Sequence, residues 1–311
     1  MRPALELRPT READLPSLGA LFARRFGHPL SPAEWEWKYR RLPGEGRSMV
    51  ALLAGEVVAH AGALRLPARW QGGEGGIWQL ADFAGEPVGS GLRPPLVALG
   101  RRLLADLPGP GDAPWIFGFP SERHFRLGVR AFGYRPLAVL QPLAGPIPDA
   151  PPAAARVEID ISDHCGGPGG DWAAAVWERC GVLGVRRSAA FLNWRYHARP
   201  GRYYRFYRLG QEGAEGLLVF AFVGSEAWAV EVWLPAGGEW YPSWLAVAAD
   251  LRASGLAIWR FWPGFPAPPP ERGLAAAGEQ RFLGCRSRPG GPDPVLAAAG
   301  FTYSMGDYDL A

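Results

Sequence analysis

One segment of this chain, "EPVGSGLRPPLVALGRRLL" from Glu86 to Leu104, opens in a way that suits the binding of a diphosphate. Paired phosphates need several backbone N–H donors converging on them. A helix N-terminus supplies these together with a favourable dipole. Gly89 and Gly91 carry no side chain, so the backbone can approach a ligand closely there. Arg93 can pair with a phosphate. Pro94 and Pro95 suit a first helical turn, where a missing N–H costs little. The candidate binding segment is Phe83 with Val88, Gly89, Ser90, Gly91, Leu92 and Arg93; taken alone these glycines read as an ordinary turn before a helix, and the surrounding order of elements favours the phosphate loop. Two carboxylates, Asp82 and Glu86, stand directly upstream of the glycines. Metal chemistry is not expected. Cys165, Cys180 and Cys285 are odd in number and widely spaced, and His164 beside Cys165 has no CxxC partner.

The neighbouring sequence predicts the elements that would position this loop. "ALELRP" reads as a strand, and "LPSLGALFARRF" as a helix with Leu15, Leu18 and Phe22 on one face. Ser31-Pro32-Ala33-Glu34 is a capping box that opens a Trp-rich helix, and Pro43-Gly44 ends it. "SMVALLAGEVVAHAGALRLPARW" reads as a hairpin turning at Ala54-Gly55. "GIWQLADFAG" is a further strand. After the loop comes a helix with Leu92, Leu96, Leu99, Leu103 and Leu107 on one stripe. Strand "PWIFGFP", helix "SERHFRLGVRAFG" and strand "YRPLAVLQPL" follow. In that last helix Phe125, Val129 and Phe132 are expected inward, with Gly133 ending it.

The chain then repeats itself. "SPAEWEWKYRRLPG" from Ser31 and "SAAFLNWRYHARPG" from Ser188 align Trp37 with Trp194, Tyr39 with Tyr196, and Pro43-Gly44 with Pro200-Gly201. The residues matching Lys38 and Arg40 are Arg195 and His197. A duplicated domain is the simplest cause. With 311 residues, each half can bury its own core. "LAGPIPDAPPAAAR" is the expected linker, which gives domains at residues 1–143 and 157–311 joined by 144–156. A net charge of +3, from 33 basic and 30 acidic residues, offers no general polyanion-binding surface. The charged start "MRPALELRPTREADLP" lacks an apolar h-region, and no apolar run approaches a membrane span. A soluble, cytoplasmic protein without membrane contact is expected.

This order of elements resembles the GNAT-type N-acetyltransferase superfamily, and the doubling resembles its tandem members. Three pieces carry the likeness. "LRPTREADLPSL" is similar to the family's entry from first strand to first helix. "GEPVGSGLRPPLVALGRRLL" is similar to its coenzyme A loop and helix. "WIFGFPSERHFRLGVRAFGYRP" is similar to its last strand–helix–strand unit. The resemblance implies an α/β (α+β) fold, with two tandem domains that each carry a mixed, mostly antiparallel sheet flanked by helices. It implies acetyl-CoA or another acyl-CoA as co-substrate, no metal, and a small-molecule amine as acceptor. Glu86 departs from the family's usual Gln or Arg at the head of the loop. The second half has Gly237-Gly238 but no Gly-x-Gly, so it is expected to bind no coenzyme and to act as a scaffold or acceptor wall.

In the family, amides of a splayed fourth strand polarise the thioester carbonyl; here that strand is "IWQLADF". Asp82 is the first candidate base and Glu86 the second, with a capping carboxylate an equal reading of Asp82. A carboxylate can take an ammonium proton only if burial raises its pKa. The Tyr that often reprotonates the thiolate is replaced by Val129, and His124 or Ser121 are candidate substitutes. Trp35, Trp37, Tyr39 and His60 would wall the acceptor site. For His60 a satisfied core residue is the preferred reading over one facing the cleft. One of Trp35 and Trp37 is expected to line a cleft or interface. Two other readings stand beside acyl transfer: a catalytically inactive duplicated module that binds a ligand or partner, and a FemABX-like aminoacyl-tRNA-dependent transferase. The second would use the Arg–aromatic stretch around Arg202 and Arg205, although solvated edge arginines are expected there rather than nucleic-acid contacts. The sequence leaves oligomeric state open.

Overall fold

The computed structural model describes residues 4–87, 95–105, 107, 109–149, 159–165, 171–210, 213–262, 273–287 and 290–307. Residues 4–140 form β1 (Leu5–Pro9), α1 (Leu15–Phe26), α2 (Pro32–Tyr39), β2 (Glu45–Leu53), β3 (Glu56–Trp70), β4 (Gly73–Gly85), α3 (Pro95–Ala105), β5 (Asp112–Gly118), α4 (Glu122–Phe132) and β6 (Arg135–Leu140). The β2–β3 turn has positive φ at both Ala54 (53°) and Gly55 (86°). That is the two-residue geometry whose twist matches the flanking strands.

The chain continues through β7 (Leu143–Pro146), β8 (Ile159–Ser162), α5 (Trp172–Cys180), β9 (Leu183–Val185), α6 (Ala189–Leu192), β10 (Tyr204–Leu209), β11 (Gly216–Val223) and β12 (Glu226–Trp233). It ends with α7 (Tyr241–Ala253), β13 (Ile258–Phe261), β14 (Ala275–Ala276), β15 (Arg281–Ser287), α8 (Pro294–Ala297) and β16 (Phe301–Thr302). A short π-helix, Asn193–His197, continues α6.

Two compact units result: residues 1–138 with 282–300, and 139–281 with 301–311. In the first, the sheet runs β1-β2-β3-β4-β5-β15-β6. Its first four strands are antiparallel, β4 and β5 are parallel, and β5 and β15 are antiparallel. In the second, the order β8-β10-β11-β12-β13-β7-β14 repeats the plan, again with one parallel pair, β12 with β13. The mixed, mostly antiparallel sheets and the doubling agree with the sequence reading.

The way the chain is divided between the units differs from that reading. The next-to-last strand of the first sheet is β15, from late in the chain, and that of the second is β7, from just after β6. The halves have exchanged one strand each. "LAGP", read as the start of a linker, is β7, hydrogen-bonded to β13 and β14. Residues 150–156 of the expected linker lie outside the described residues. The exchange is invisible in the sequence, because local pattern does not say which sheet a strand such as β7 or β15 joins.

Each unit has its own core. In the first, Ala59, Ala61 and Ala63 of β3 join Trp78 and Leu80 of β4 beneath Leu96, Leu99 and Leu103 of α3. Small residues on β3 let α3 lie close. In the second, Tyr207, Phe220, Trp244, Trp259 and Phe261 dominate. The α4 expectation needs one correction. Phe132 is buried and Phe125 stacks on Phe282 with ring centroids 5.3 Å apart, but Val129 is 45% exposed. It lies on the helix's solvent side, since the faces nearer the sheet are taken by Phe125, Gly128 and Phe132.

Residues 1–142 expressed alone lack the strand that belongs between β5 and β6. That fragment is expected to unfold without a cooperative transition in a circular dichroism melt. Joining residues 280–300 to it through a flexible linker should restore a single transition.

Candidate active site on the fourth strand

The ladder between β3 and β4 is broken at one place. Ala81 pairs with Gly62 and Ala84 with His60, so Asp82 and Phe83 together oppose Ala61 alone. This is a β-bulge, and Asp82 has φ of 57°. Asp is one of the few side chains that tolerate this left-handed conformation. The bulge also breaks the alternation of the strand. Trp78, Leu80 and Phe83 pack with the cluster beneath α3, while Asp82 turns to α2. Strict period-two alternation would have put Asp82 on the Trp78–Leu80 face. Beside the bulge β4 also loses its other neighbour. Its pairing with β5 ends at Leu80–Gly118, yet β4 runs on to Gly85.

The Asp82 carboxylate accepts from Lys38 Nζ at 2.9 Å and from Tyr39 Oη at 2.6 Å. Its main-chain oxygen lies 2.8 Å from His60 Nδ1. The other ring nitrogen of His60 is 2.9 Å from Ser48 Oγ, which also meets Thr10 Oγ1 at 2.7 Å and Trp35 Nε1 at 3.0 Å. The sequence builds this cluster through α2. Ser31 and Glu34 form the predicted capping box, which fixes where the helix starts. Lys38 and Tyr39 then arrive side by side over β4. The Tyr39 ring fills the space where Gly62 would carry a Cβ, so that glycine is required.

Burial pushes the Asp82 carboxyl upward, but the Lys38 charge and the hydrogen bonds from Tyr39 and Lys38 outweigh it. The net direction is below the ordinary carboxylate value. The raised pKa that would make Asp82 a ready proton acceptor is therefore absent, and the carboxylate is a fixed anion. Burial first, and the Asp82 charge second, push the Tyr39 phenol well upward. Burial lowers His60 and keeps its imidazole neutral.

The other sequence candidates fall as follows. Trp35 and Trp37 are both buried, so the expectation that one lines a cleft is corrected. The helix buries every residue from Trp35 to Tyr39 except Glu36, a wider apolar stripe than one face allows. Glu86 is drawn aside, its carboxylate 2.8 Å from Arg24 Nε on α1. His124 is half-buried in the first turn of α4, and burial, then Arg123 and Arg25, lower its pKa. Phe83 packs edge-on against Phe132 at 6.0 Å. Val88, Gly89, Ser90, Gly91, Leu92 and Arg93 lie outside the described residues. Sequence reasoning passed over Lys38, Ser48 and Thr10. Only Lys38 gave a signal, as the sole lysine of the chain.

The second unit repeats the plan with a different outcome. Tyr196, the counterpart of Tyr39, donates to Glu231 at 2.5 Å on β12. A register break again falls here, between Val219–Glu231 and Phe220–Ala229, and β12 leaves β13 after Trp228. In this unit, however, the chain itself covers the spot. Arg187 holds Glu231 (3.0 Å), Ser304 (2.7 Å) and Asp307 (2.8 Å), and Arg195 donates to the Gly306 carbonyl at 2.9 Å. A Cβ on Gly306 would overlap the Tyr196 hydroxyl. In the Arg–aromatic stretch, Arg205 is engaged by Asp250 at 2.5 Å and Ser254 at 2.8 Å. Among the described residues, no group of three or more His, Cys, Asp or Glu is placed to hold a metal ion. None of the described helices is long and apolar enough to cross a membrane.

No protein-family model and no curated protein matches the chain. Solved structures do. A GCN5-related N-acetyltransferase from Anabaena variabilis superposes with a TM-score of 0.64 at 14% identity, over 91% of this chain and 73% of its own. A conserved protein of unknown function from Enterococcus faecalis V583, described as a probable N-acyltransferase, gives 0.63 at 15% identity, with the same two coverages, 91% and 73%. A tandem GNAT protein from the clavulanic acid biosynthesis pathway gives 0.58 at 12% identity, over 91% of this chain and 98% of its own. The chain therefore has the fold of tandem GNAT proteins.

Two stability measurements follow from these clusters. Asp82→Asn removes the anion paired with the buried Lys38 ammonium and should cost about 3–5 kcal/mol in urea unfolding at pH 7. A depressed folded-state pKa contributes stability above the ordinary carboxylate value, which is lost as pH falls through the folded value. The gap between wild type and Asp82→Asn should therefore narrow on acidification below about pH 4. Arg187→Met, which removes the guanidinium that buried Glu231 and Asp307 share, should cost about 3–5 kcal/mol by the same measurement.

Proposed function

We propose that this chain is an N-acyltransferase that moves an acetyl or other acyl group from coenzyme A to a small-molecule amine. The unit containing β4 carries the chemistry, and the other unit is a scaffold or acceptor wall. The observation that carries this reading is the open stretch of β4, bulged at Asp82–Phe83 and free of β5 beyond Leu80. Main-chain donors at such a place can stabilise the oxyanion that forms when an amine attacks a thioester.

The described residues around this stretch suit an acyl-CoA co-substrate. Gly85 brings the end of β4 against the start of α3, since a Cβ there would stand 2.9 Å from Leu96 Cβ. The positive end of α3 thus lies next to the open strand. Glu86, the one carboxylate at odds with a diphosphate, is neutralised by Arg24. Bound there, the coenzyme supplies the activated acyl group. The amine nitrogen bonds to the carbonyl carbon, the C–S bond breaks, and the thiolate leaves. Asp82, held anionic by Lys38 and Tyr39, anchors the bulge that presents those main-chain donors. His124, kept neutral, has a lone pair for the proton that the amine must shed.

An inactive, ligand-binding variant of the fold is the second reading. It is favoured by Val129, which stands where the resemblance implies a Tyr.

Isothermal titration with acetyl-CoA is expected to show one site per chain, because residues 304–307 cover the corresponding place in the second unit. Absence of heat at millimolar coenzyme ends the acyltransferase reading. With turnover established by thiol release against an amine panel, His124→Ala should lower kcat about 10²-fold. In the wild type, kcat/KM should rise with pH through a value below the usual His pKa of about 6.5.

A further inference from the structure

We propose that His60 is a positioning residue, which sets the orientation of the Asp82–Phe83 peptide and so aims the Phe83 N–H at the acyl carbonyl. The proposal rests on the acyl-transfer reading above and assigns that donor a mechanical support.

The geometry begins with what each ring nitrogen can do. His60 is fully buried on β3, its ring edge-on to Phe22 at 5.5 Å and to Tyr39 at 5.9 Å. Its Nδ1 faces the Asp82 carbonyl oxygen at 2.8 Å. A carbonyl only accepts, so Nδ1 carries the hydrogen. In the neutral ring Nε2 is then an acceptor and must be given a proton by Ser48 Oγ, 2.9 Å away. Ser48 takes the Trp35 indole N–H at 3.0 Å and lies 2.7 Å from Thr10 Oγ1; with its single hydrogen directed at His60, the Thr10 hydroxyl must be the donor in that contact. All donors and acceptors in this set are used, and only one tautomer of His60 fits.

The consequence falls on the peptide after Asp82. In a trans peptide the C=O and the following N–H point in opposite directions. The carbonyl is held toward the face where His60, Phe22 and Tyr39 lie. The Phe83 N–H therefore points away from that face. The bulge takes Asp82 and Phe83 out of the regular β3–β4 register, so the even spacing of the ladder does not set the tilt of this peptide. Lys38 and Tyr39 restrain the Asp82 side chain, not the main-chain carbonyl. His60 Nδ1, 2.8 Å away, restrains that carbonyl. The charged and titratable groups around the ring are Asp82 on β4 and Lys38 and Tyr39 on α2.

The test compares His60→Ala with His60→Asn, whose side-chain amide N–H stands in the place of Nδ1–H. Both are assayed for acetyl-CoA turnover with an amine acceptor, alongside thermal melts and an imidazole ¹⁵N spectrum of the wild type. His60→Ala is expected to lose about 10²-fold in kcat, with KM for acetyl-CoA changed by no more than about twofold. His60→Asn should regain most of kcat, and the wild-type spectrum should show a neutral Nδ1–H ring from pH 6 to 8. The proposal is overturned if Asn is no better than Ala at equal melting temperature, or if the spectrum shows the Nε2–H tautomer. Wild type that binds acetyl-CoA without turnover sinks the acyl-transfer reading separately. In that case the Phe83 amide resonance decides the positioning. On adding acetyl-CoA it should move in wild type and His60→Asn but not in His60→Ala, and a shift in all three overturns the proposal.

Discussion

The structure of the first unit depends on one irregularity, the two residues of β4 that oppose a single residue of β3. A bulge of this kind removes main-chain groups from the ladder and re-aims a side chain. Here it turns Asp82 out of the apolar layer beneath α3 and onto the Lys38–Tyr39 pair of α2. A left-handed φ at a residue with a side chain costs about 1–3 kcal/mol and persists only where its surroundings enforce it. The surroundings are specific: an ammonium, a phenol and an imidazole converge on one aspartate. Gly62 on β3 exists to admit the phenol.

The duplicated helix makes sense in this light. In each unit its Tyr reaches across to a carboxylate on the bulged fourth strand, Tyr39 to Asp82 and Tyr196 to Glu231. The shared motif thus holds a strand in an unfavourable shape in both halves. Its neighbourhood differs in what lies over the bulge. In the second unit a buried arginine ties down the segment Ser304–Asp307, and only glycine fits at position 306. A buried pair of this kind gives little net stability against an apolar replacement, yet losing one partner is costly. That asymmetry keeps the covering segment in place. The exchange of β7 and β15 adds a second constraint, since each sheet is incomplete without a strand from the other half of the chain.

Much of the fold was legible in the sequence. Ser31 to Glu34 announced the start of α2, Ala54-Gly55 the hairpin, and Gly133 the end of α4, because caps and turns are set by a few local groups. The leucine stripe of α3 is buried as its period implied, at Leu96, Leu99, Leu103 and Leu107. The repeat of Trp-Lys-Tyr as Trp-Arg-Tyr disclosed the doubling. Asp82 and Tyr39 were named, but as a base and as a wall. Val129 was placed inward on helical spacing alone, and spacing does not say which side of a short helix the sheet occupies.

What the sequence determined by itself is the elements of residues 4–140, their order and the residue types at the end of β4, since these follow from side-chain type and local period. What only the tertiary structure decided is how those groups act on one another. The bulge, the pairing of Asp82 with a lysine 44 residues away, and the filling of the second site from the chain's far end all depend on contacts between distant segments. Local pattern carries no information about such contacts. Asp82 is consequently a depressed-pKa anion rather than the raised-pKa base its position suggested, because its partners, and not its burial, set the balance.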